Sequence, residues 1–304
     1  MRVVTTLPSA TEIVYALGVE PVAVSHACDH PPAAADLPAV ERTRVDPGAD
    51  SAALHEQVVA ADREDGVYAI DLDVLAAADP DLIVTQGVCE VCAVEEVLVE
   101  EAAERLDLDC EILTTDPHSL GDVFGDVERI GAALGRAERA ADLVADLRRR
   151  VERVEARVAG RPRPRVAVLD WLDPVMVAGH WMPGIVERAG GEYGLAAPGD
   201  HSYPREWAEI RDYDPEVLVA APCGFGLDRA LAEADALTGR EGYADLAAVP
   251  DRAVALDGSG LVNRPGPRLV DTLEAVAGLL HPGLDDPETD VARPLPVPAA
   301  GSEP

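Results

Sequence analysis

The chain has 304 residues, 48% hydrophobic and 27% charged, a globular composition long enough for two domains with a core each. It carries 57 acidic residues against 25 basic ones, a formal net charge of -32, and all 25 of those basic residues are arginine. Such a surface repels phosphate backbones and anionic lipid, which excludes nucleic acid and membrane surfaces as partners; its self-repulsion is screened in concentrated salt, so a halophilic setting is expected.

The chain opens with a strand at Arg2–Thr6 and a helix at Ala10–Leu17, for which Ser9 and Glu12 form a capping box. Met1 leads directly into that strand, with neither a basic start nor an apolar signal segment, so the chain reads as cytoplasmic. No run approaches the roughly 18 apolar residues that span a bilayer. Val22–Ser25 is a short strand, and Asp29–Asp65 reads as loop around a helix near Ala52–Ala61. Helices follow at Asp71–Ala78 and Glu95–Leu106, and strands at Asp81–Thr85 and Cys110–Thr114. Ser119 caps a helix running to Leu134. From Ala137 to Val158 apolar residues recur every three or four positions, which predicts a single helix roughly 33 Å long.

Beyond Arg161-Pro162-Arg163-Pro164 the second half predicts strands at Arg165–Asp170, Val175–Ala178, Glu216–Ala221 and Ala253–Leu256. Its helices are expected at Pro183–Ala189, Trp207–Tyr213, Arg229–Thr238 and Leu269–Leu280. The division is therefore an α/β lobe at 1–118, a helical segment with an interlobe helix at 119–160, a second α/β lobe at 161–284 and a disordered tail at 285–304.

An internal repeat supports two lobes of one plan. Ala78-Asp79-Pro80-Asp81-Leu82-Ile83-Val84 matches Tyr213-Asp214-Pro215-Glu216-Val217-Leu218-Val219, and each lobe opens with Arg-Val and an apolar strand. Alternating strands and helices imply parallel sheets, which bind ligands at the carboxyl ends of their strands. Two Rossmann-like lobes joined by a long helix would make a cleft.

Five cysteines at irregular spacing argue against a disulfide framework and for thiols or metal ligands. Cys28, Cys89, Cys92 and Cys223 fall in loops after strands, with His26 and His30 flanking Cys28. Cysteine and imidazole in mutual reach suit zinc or iron. The competing reading is that cysteine packs as a small apolar residue, which fits Cys110. Cys89 and Cys92 also admit dithiol chemistry, opposed by the acidic Glu90, Glu95 and Glu96. Trp181, Tyr203, Trp207 and Phe225 cluster in a chain with only 4% aromatics, which suggests a flat apolar ligand, with ordinary packing as the alternative, above all for Trp207; His180, at a helix entrance, is a candidate ligand contact, with a polar surface residue or cap as the alternative. Arg264 and Arg268 either meet a carboxylate or phosphate or form a helix-initiating ion pair. Neither a phosphate-binding loop nor a nucleophile elbow is present.

From Arg2 to about Pro282 the chain resembles the substrate-binding proteins of iron-complex and vitamin B12 ABC importers, in particular the cobalamin-binding branch. The resemblance rests on Leu7-Pro8-Ser9-Ala10-Thr11-Glu12, Asp29-His30-Pro31-Pro32, the repeated Asp-Pro-acid approaches to strands, Gly190-Gly191 and Pro267-Arg268. It implies a class III periplasmic-binding-protein-like fold, a non-catalytic monomer, and a corrinoid ligand near His30, Gln86 and Tyr203. It also implies acidic docking residues for a permease, with Glu90 and Glu209 as candidates. Cys and His in the loops, where the corrinoid binders use aromatics, suggest axial ligation of cobalt by His180 or a loop cysteine, with Trp181, Tyr203 and Phe225 over the ring and Arg264 nearby. The rival expectation is an intracellular metal-binding or thiol-dependent enzyme with Cys28, Cys89, Cys92, Cys223 and His26 around zinc or iron.

Overall fold

Val3, Val4 and Thr5 are β-branched and wholly buried, the character of a strand covered on both faces in a parallel sheet. They form β1 (Val3–Thr5) of a computed structural model that describes residues 1–62, 66–87, 96–249, 251–284 and 291–297. The chain divides into two compact units. The first takes Met1–Ala49, Ala53–Arg148 and Pro265–Pro267; the second takes Asp50–Ala52, Arg149–Arg264 and the described residues from Arg268 on.

In the first unit β1 leads to α1 (Pro8–Ala16), a 3-10 turn at Pro32–Asp36, β2 (Glu41–Thr43) and α2 (Ser51–Asp62), whose first two residues belong to the second unit. Then come β3 (Tyr68–Ile70), α3 (Leu72–Ala78), β4 (Leu82–Gln86), α4 (Glu96–Arg105), β5 (Glu111–Thr115) and α5 (Leu120–Ala133). β1, β4 and β5 make a parallel sheet in the order β1-β4-β5, with Val3 level with Leu82 and Leu82 level with Glu111. The segment read as a strand at Val22–Ser25 contributes only isolated parallel bridges, Val4 to Ala23 and Val24 to Ala39. β2 and β3 form an antiparallel pair within a stretch whose start reads as loop. Val4, Val40, Leu75, Ile83 and Val99 pack as the core.

The capping box expected at Ser9 is replaced by a proline start. Pro8 takes the first turn after Leu7, so Ser9 lies inside α1 and makes no cap. Ser119 does cap α5, accepting from Asp122 N at 3.2 Å. α6 (Ala137–Val158) follows the apolar stripe, burying Ala140, Val144, Leu147, Val151, Val154 and Val158; the chain passes from the first unit to the second within it.

The second unit contains β6 (Val166–Leu172), β7 (Val175–Val177), α7 (Met182–Arg188), β8 (Tyr203–Pro204), α8 (Trp207–Tyr213) and β9 (Val217–Ala220). It continues with α9 (Leu227–Ala232), α10 (Asp235–Thr238), β10 (Ala253–Leu256), a π-helical turn at Gly258–Val262, α11 (Leu269–Leu280) and β11 (Ala292–Pro294). The sheet order is β11-β10-β9-β6-β7-β8; β10, β9 and β6 are parallel, and β7, β8 and β11 antiparallel. A wholly parallel sheet is therefore confined to the first unit. Part of the tail read as disordered is ordered: β11 pairs with β10 and Leu295 beyond it is buried.

Candidate functional site

The parallel strands of the first unit end in polar side chains. Thr6 Oγ1 donates to Thr85 Oγ1 at 2.9 Å, and Thr115 Oγ1 donates to the Thr85 carbonyl at 3.1 Å, tying β1, β4 and β5 together at their carboxyl edge. Gln86 closes β4 with only 6% of its surface exposed. Beside them, Glu41 on β2 is buried, and its Oε1 accepts from Ser25 Oγ at 2.5 Å, His26 N at 3.2 Å and His26 Nδ1 at 2.8 Å. Glu41 Oε2 is buried with no hydrogen-bond partner among the described residues. Glu41 also lines a cavity of about 10 Å³ with Val4, Thr6, Ile70, Leu75 and Val99, room for a single water. The Cys28 thiol lies 3.0 Å from Thr11 Oγ1, and the residue packs with Val24 and Ala34. His30 is exposed.

In the second unit, the register of β6 against β7 shifts between Leu169 and Trp171, at Asp170. One Asp170 oxygen is buried without a partner among the described residues; the carboxyl is bonded to Ser202, and burial pushes it up to about 6 against that bond. Ser202 Oγ accepts from Gly179 N at 2.9 Å, so its hydroxyl proton goes to Asp170. The 179–180 turn and the 199–202 loop are also joined by His180 N donating to the Asp200 carbonyl at 2.5 Å and Gly199 N donating to the His180 carbonyl at 3.0 Å. Gly179 makes this approach possible, since a Cβ there would lie 2.2 Å from the Asp200 oxygen. His180 adopts φ 51°, rare for a residue with a side chain, and its ring meets His201 edge-on at 5.0 Å. The clasp leaves His201 and Tyr203 exposed, with the Arg205 guanidinium 4.3 Å from the Tyr203 ring centroid.

The model of the family described as "Periplasmic binding protein" matches residues 3–259. The chain belongs to that family. The vitamin B12-binding protein of Vibrio cholerae is 25% identical over 284 residues, 92% of this chain and 88% of that protein. Among solved structures, a periplasmic heme-binding protein from Pseudomonas aeruginosa superposes with a TM-score of 0.70 at 24% identity, covering 98% of this chain and 95% of its own. The periplasmic vitamin B12-binding protein of Vibrio cholerae gives 0.64 at 22% identity, covering 92% and 96%. This periplasmic binding protein is thus a substrate-binding protein of the kind that serves ABC importer permeases, and not an enzyme. The cytoplasmic reading is overturned: the family acts on the outer side of the cytoplasmic membrane. No helix among the described residues is long and apolar enough to cross a membrane.

Within this binding protein the residues singled out from sequence separate into groups. Phe225 is 1% exposed, with Trp171 at 5.4 Å and the Arg229 guanidinium 3.6 Å from its ring centroid; Trp181 is buried and donates its indole N–H to the Val262 carbonyl at 2.9 Å. Both rings are occupied by packing. Trp207 starts α8 and bonds the Glu241 carbonyl. Cys223 is half-buried, its N–H donating to the Asp170 carbonyl at 2.8 Å; Arg264 is buried, and Arg268 lies 3.9 Å from Asp271 in the first turn of α11. Cys89, Glu90 and Cys92 lie outside the described residues. Among the described residues no three His, Cys, Asp or Glu side chains gather as a metal-holding group, and His26 is joined to Glu41 rather than to Cys28. Sequence reasoning missed Glu41, Asp170 and His201, which carry no local pattern; each gains its role from a partner on another segment.

Proposed function

We propose that this binding protein captures a corrinoid, or a flat metal chelate of the same kind, and hands it to the permease of an ABC importer. The observation that carries the reading is the likeness, over nearly the whole chain, to the vitamin B12-binding protein of Vibrio cholerae. Candidate ligand contacts are His30, Gln86, His180 and Tyr203. The exposed Tyr203 ring, steadied by Arg205, suits an apolar macrocycle. Glu209 on α8 is exposed and bonded to Arg205 at 2.9 Å, and serves as the acidic docking residue.

The test is calorimetric titration, in high salt, of the purified protein with cyanocobalamin, hydroxocobalamin and hemin. Saturable binding of a cobalamin, weakened about tenfold by Tyr203→Ala, roughly 1.4 kcal/mol, is the expected result. Tight binding of hemin with none of either cobalamin would reassign the ligand.

A further inference from the structure

We propose that His26 supplies a nitrogen ligand to the metal of the bound chelate, with Glu41 as its positioning residue. The inference rests on the chelate reading above. His26 follows the segment whose Ala23 bridges in parallel to Val4, so it lies at the carboxyl edge of the first unit's sheet, where parallel sheets take ligands. Its imidazole is anchored at one edge. Nδ1 lies 2.8 Å from Glu41 Oε1, and the same oxygen accepts from the His26 backbone N–H and from Ser25 Oγ. The Glu41 side chain is 1% exposed, while that of His26 is 33% exposed, so the ring runs from a buried carboxylate to the surface. Tyr68 braces it, ring centroids 5.9 Å apart.

An ionised carboxylate is acceptor-only, so Nδ1 carries the proton of the contact, and in the neutral imidazole Nε2 then carries the lone pair. This is the outer-shell arrangement that orients metal-binding histidines and raises their basicity. Pinning the loop to β2 requires only Ser25 and the His26 backbone N–H; the imidazole is an addition. A chelate whose macrocycle fills the equatorial positions needs a single protein donor. With aquacobalamin the exchange is a ligand substitution: the bond from cobalt(III) to water breaks, a bond to His26 Nε2 forms, water leaves, and no electron is transferred.

The experiment follows the visible spectrum and equilibrium dialysis in parallel, with hydroxocobalamin, cyanocobalamin and hemin as probes. The wild-type protein is expected to convert the hydroxocobalamin spectrum to that of an imidazole complex. His26→Ala should bind cyanocobalamin within about threefold of wild type, bind hydroxocobalamin at least tenfold more weakly, and lose the spectral change, which added imidazole restores. Glu41→Gln should retain cyanocobalamin binding with an incomplete spectral change; a full change would remove Glu41 from the assignment. A wild-type spectral change that persists in His26→Ala, or cobalamin binding by wild type with no spectral change, overturns the role of His26 and leaves the chelate reading intact. Binding of hemin alone would transfer the same comparison to the Soret band. Binding of none of the three rejects the chelate reading itself.

Discussion

Asp126 lies on the buried face of α5, where burial outweighs the opposing pull of Arg129 at 2.9 Å and pushes its carboxyl up to about 6. An unfolded chain holds an aspartate near 3.9, so between about pH 4 and pH 6 the folded protein binds the extra proton. The contribution to stability is present below the unfolded value and is lost as pH rises through the folded one. Asp126→Asn, which keeps an acceptor for Arg129, should therefore stabilise the protein at pH 7 by about 1–3 kcal/mol and give little gain near pH 4. Urea unfolding at the two pH values checks this, and an equal effect at both would contradict it. The same scale shows why part of the site escapes a reader of the sequence. His30, Gln86 and Tyr203 are marked out by the resemblance to the family and by no local pattern of their own. Glu41 and Asp170 are single acids in a chain with 57 of them, and only the pairing of Glu41 with Ser25 and His26, or of Asp170 with Ser202, distinguishes them.

The elements were more legible, because the repeat encodes geometry. Asp79 and Asp214 both adopt left-handed backbone, φ 41° and 47°, to end α3 and α8 just before a proline. The arginine that opens each half then binds those helix ends. Arg2 Nε donates to the Ala78 carbonyl at 2.6 Å, and Arg165 donates to the Tyr213 and Asp214 carbonyls at 3.2 and 2.7 Å. Even the acid two residues after each Asp is reused, Asp81 accepting from Arg2 N and Glu216 from Arg165 N. Arg165→Ala should cost about 1–3 kcal/mol by leaving the carboxyl end of α8 unpaired, with Arg165→Lys recovering only part, since an ammonium lacks the fork that meets two carbonyls. Thermal unfolding of the three proteins tests the order. What the pattern does not show is where elements break. The helix expected at Arg229–Thr238 divides into α9 and α10 without a proline or glycine between them, and β11 is a strand only because β10 is beside it. Gly179 is similarly silent in sequence. Gly179→Ala should open the 199–204 loop at a cost of about 1–3 kcal/mol, read as faster hydrogen exchange at Asp200–Tyr203, because the new methyl meets backbone that cannot turn aside.

For the whole molecule the governing quantity is charge. A net of -32 over 304 residues makes compaction electrostatically unfavourable in dilute buffer, and exposed ion pairs made by the arginines are each worth too little to offset it. Those pairs are local, as with Arg150 against Asp271 and Glu274, while the repulsion is long-ranged. Salt therefore acts unequally on the two. Raising ionic strength from about 0.1 to 1 M shortens the screening length from about 10 to 3 Å, which removes the repulsion between distant carboxylates but leaves contacts at 2.5–2.6 Å largely intact. The melting temperature should consequently rise by several degrees in 1 M potassium chloride, and rise further at higher concentrations. Sucrose of equal osmolarity, which is excluded from the surface without screening charge, should give a smaller gain. Equal gains in salt and sucrose would mean that hydration, and not repulsion, limits this fold. A melting temperature that falls in salt would show that the arginine pairs outweigh the acidic excess.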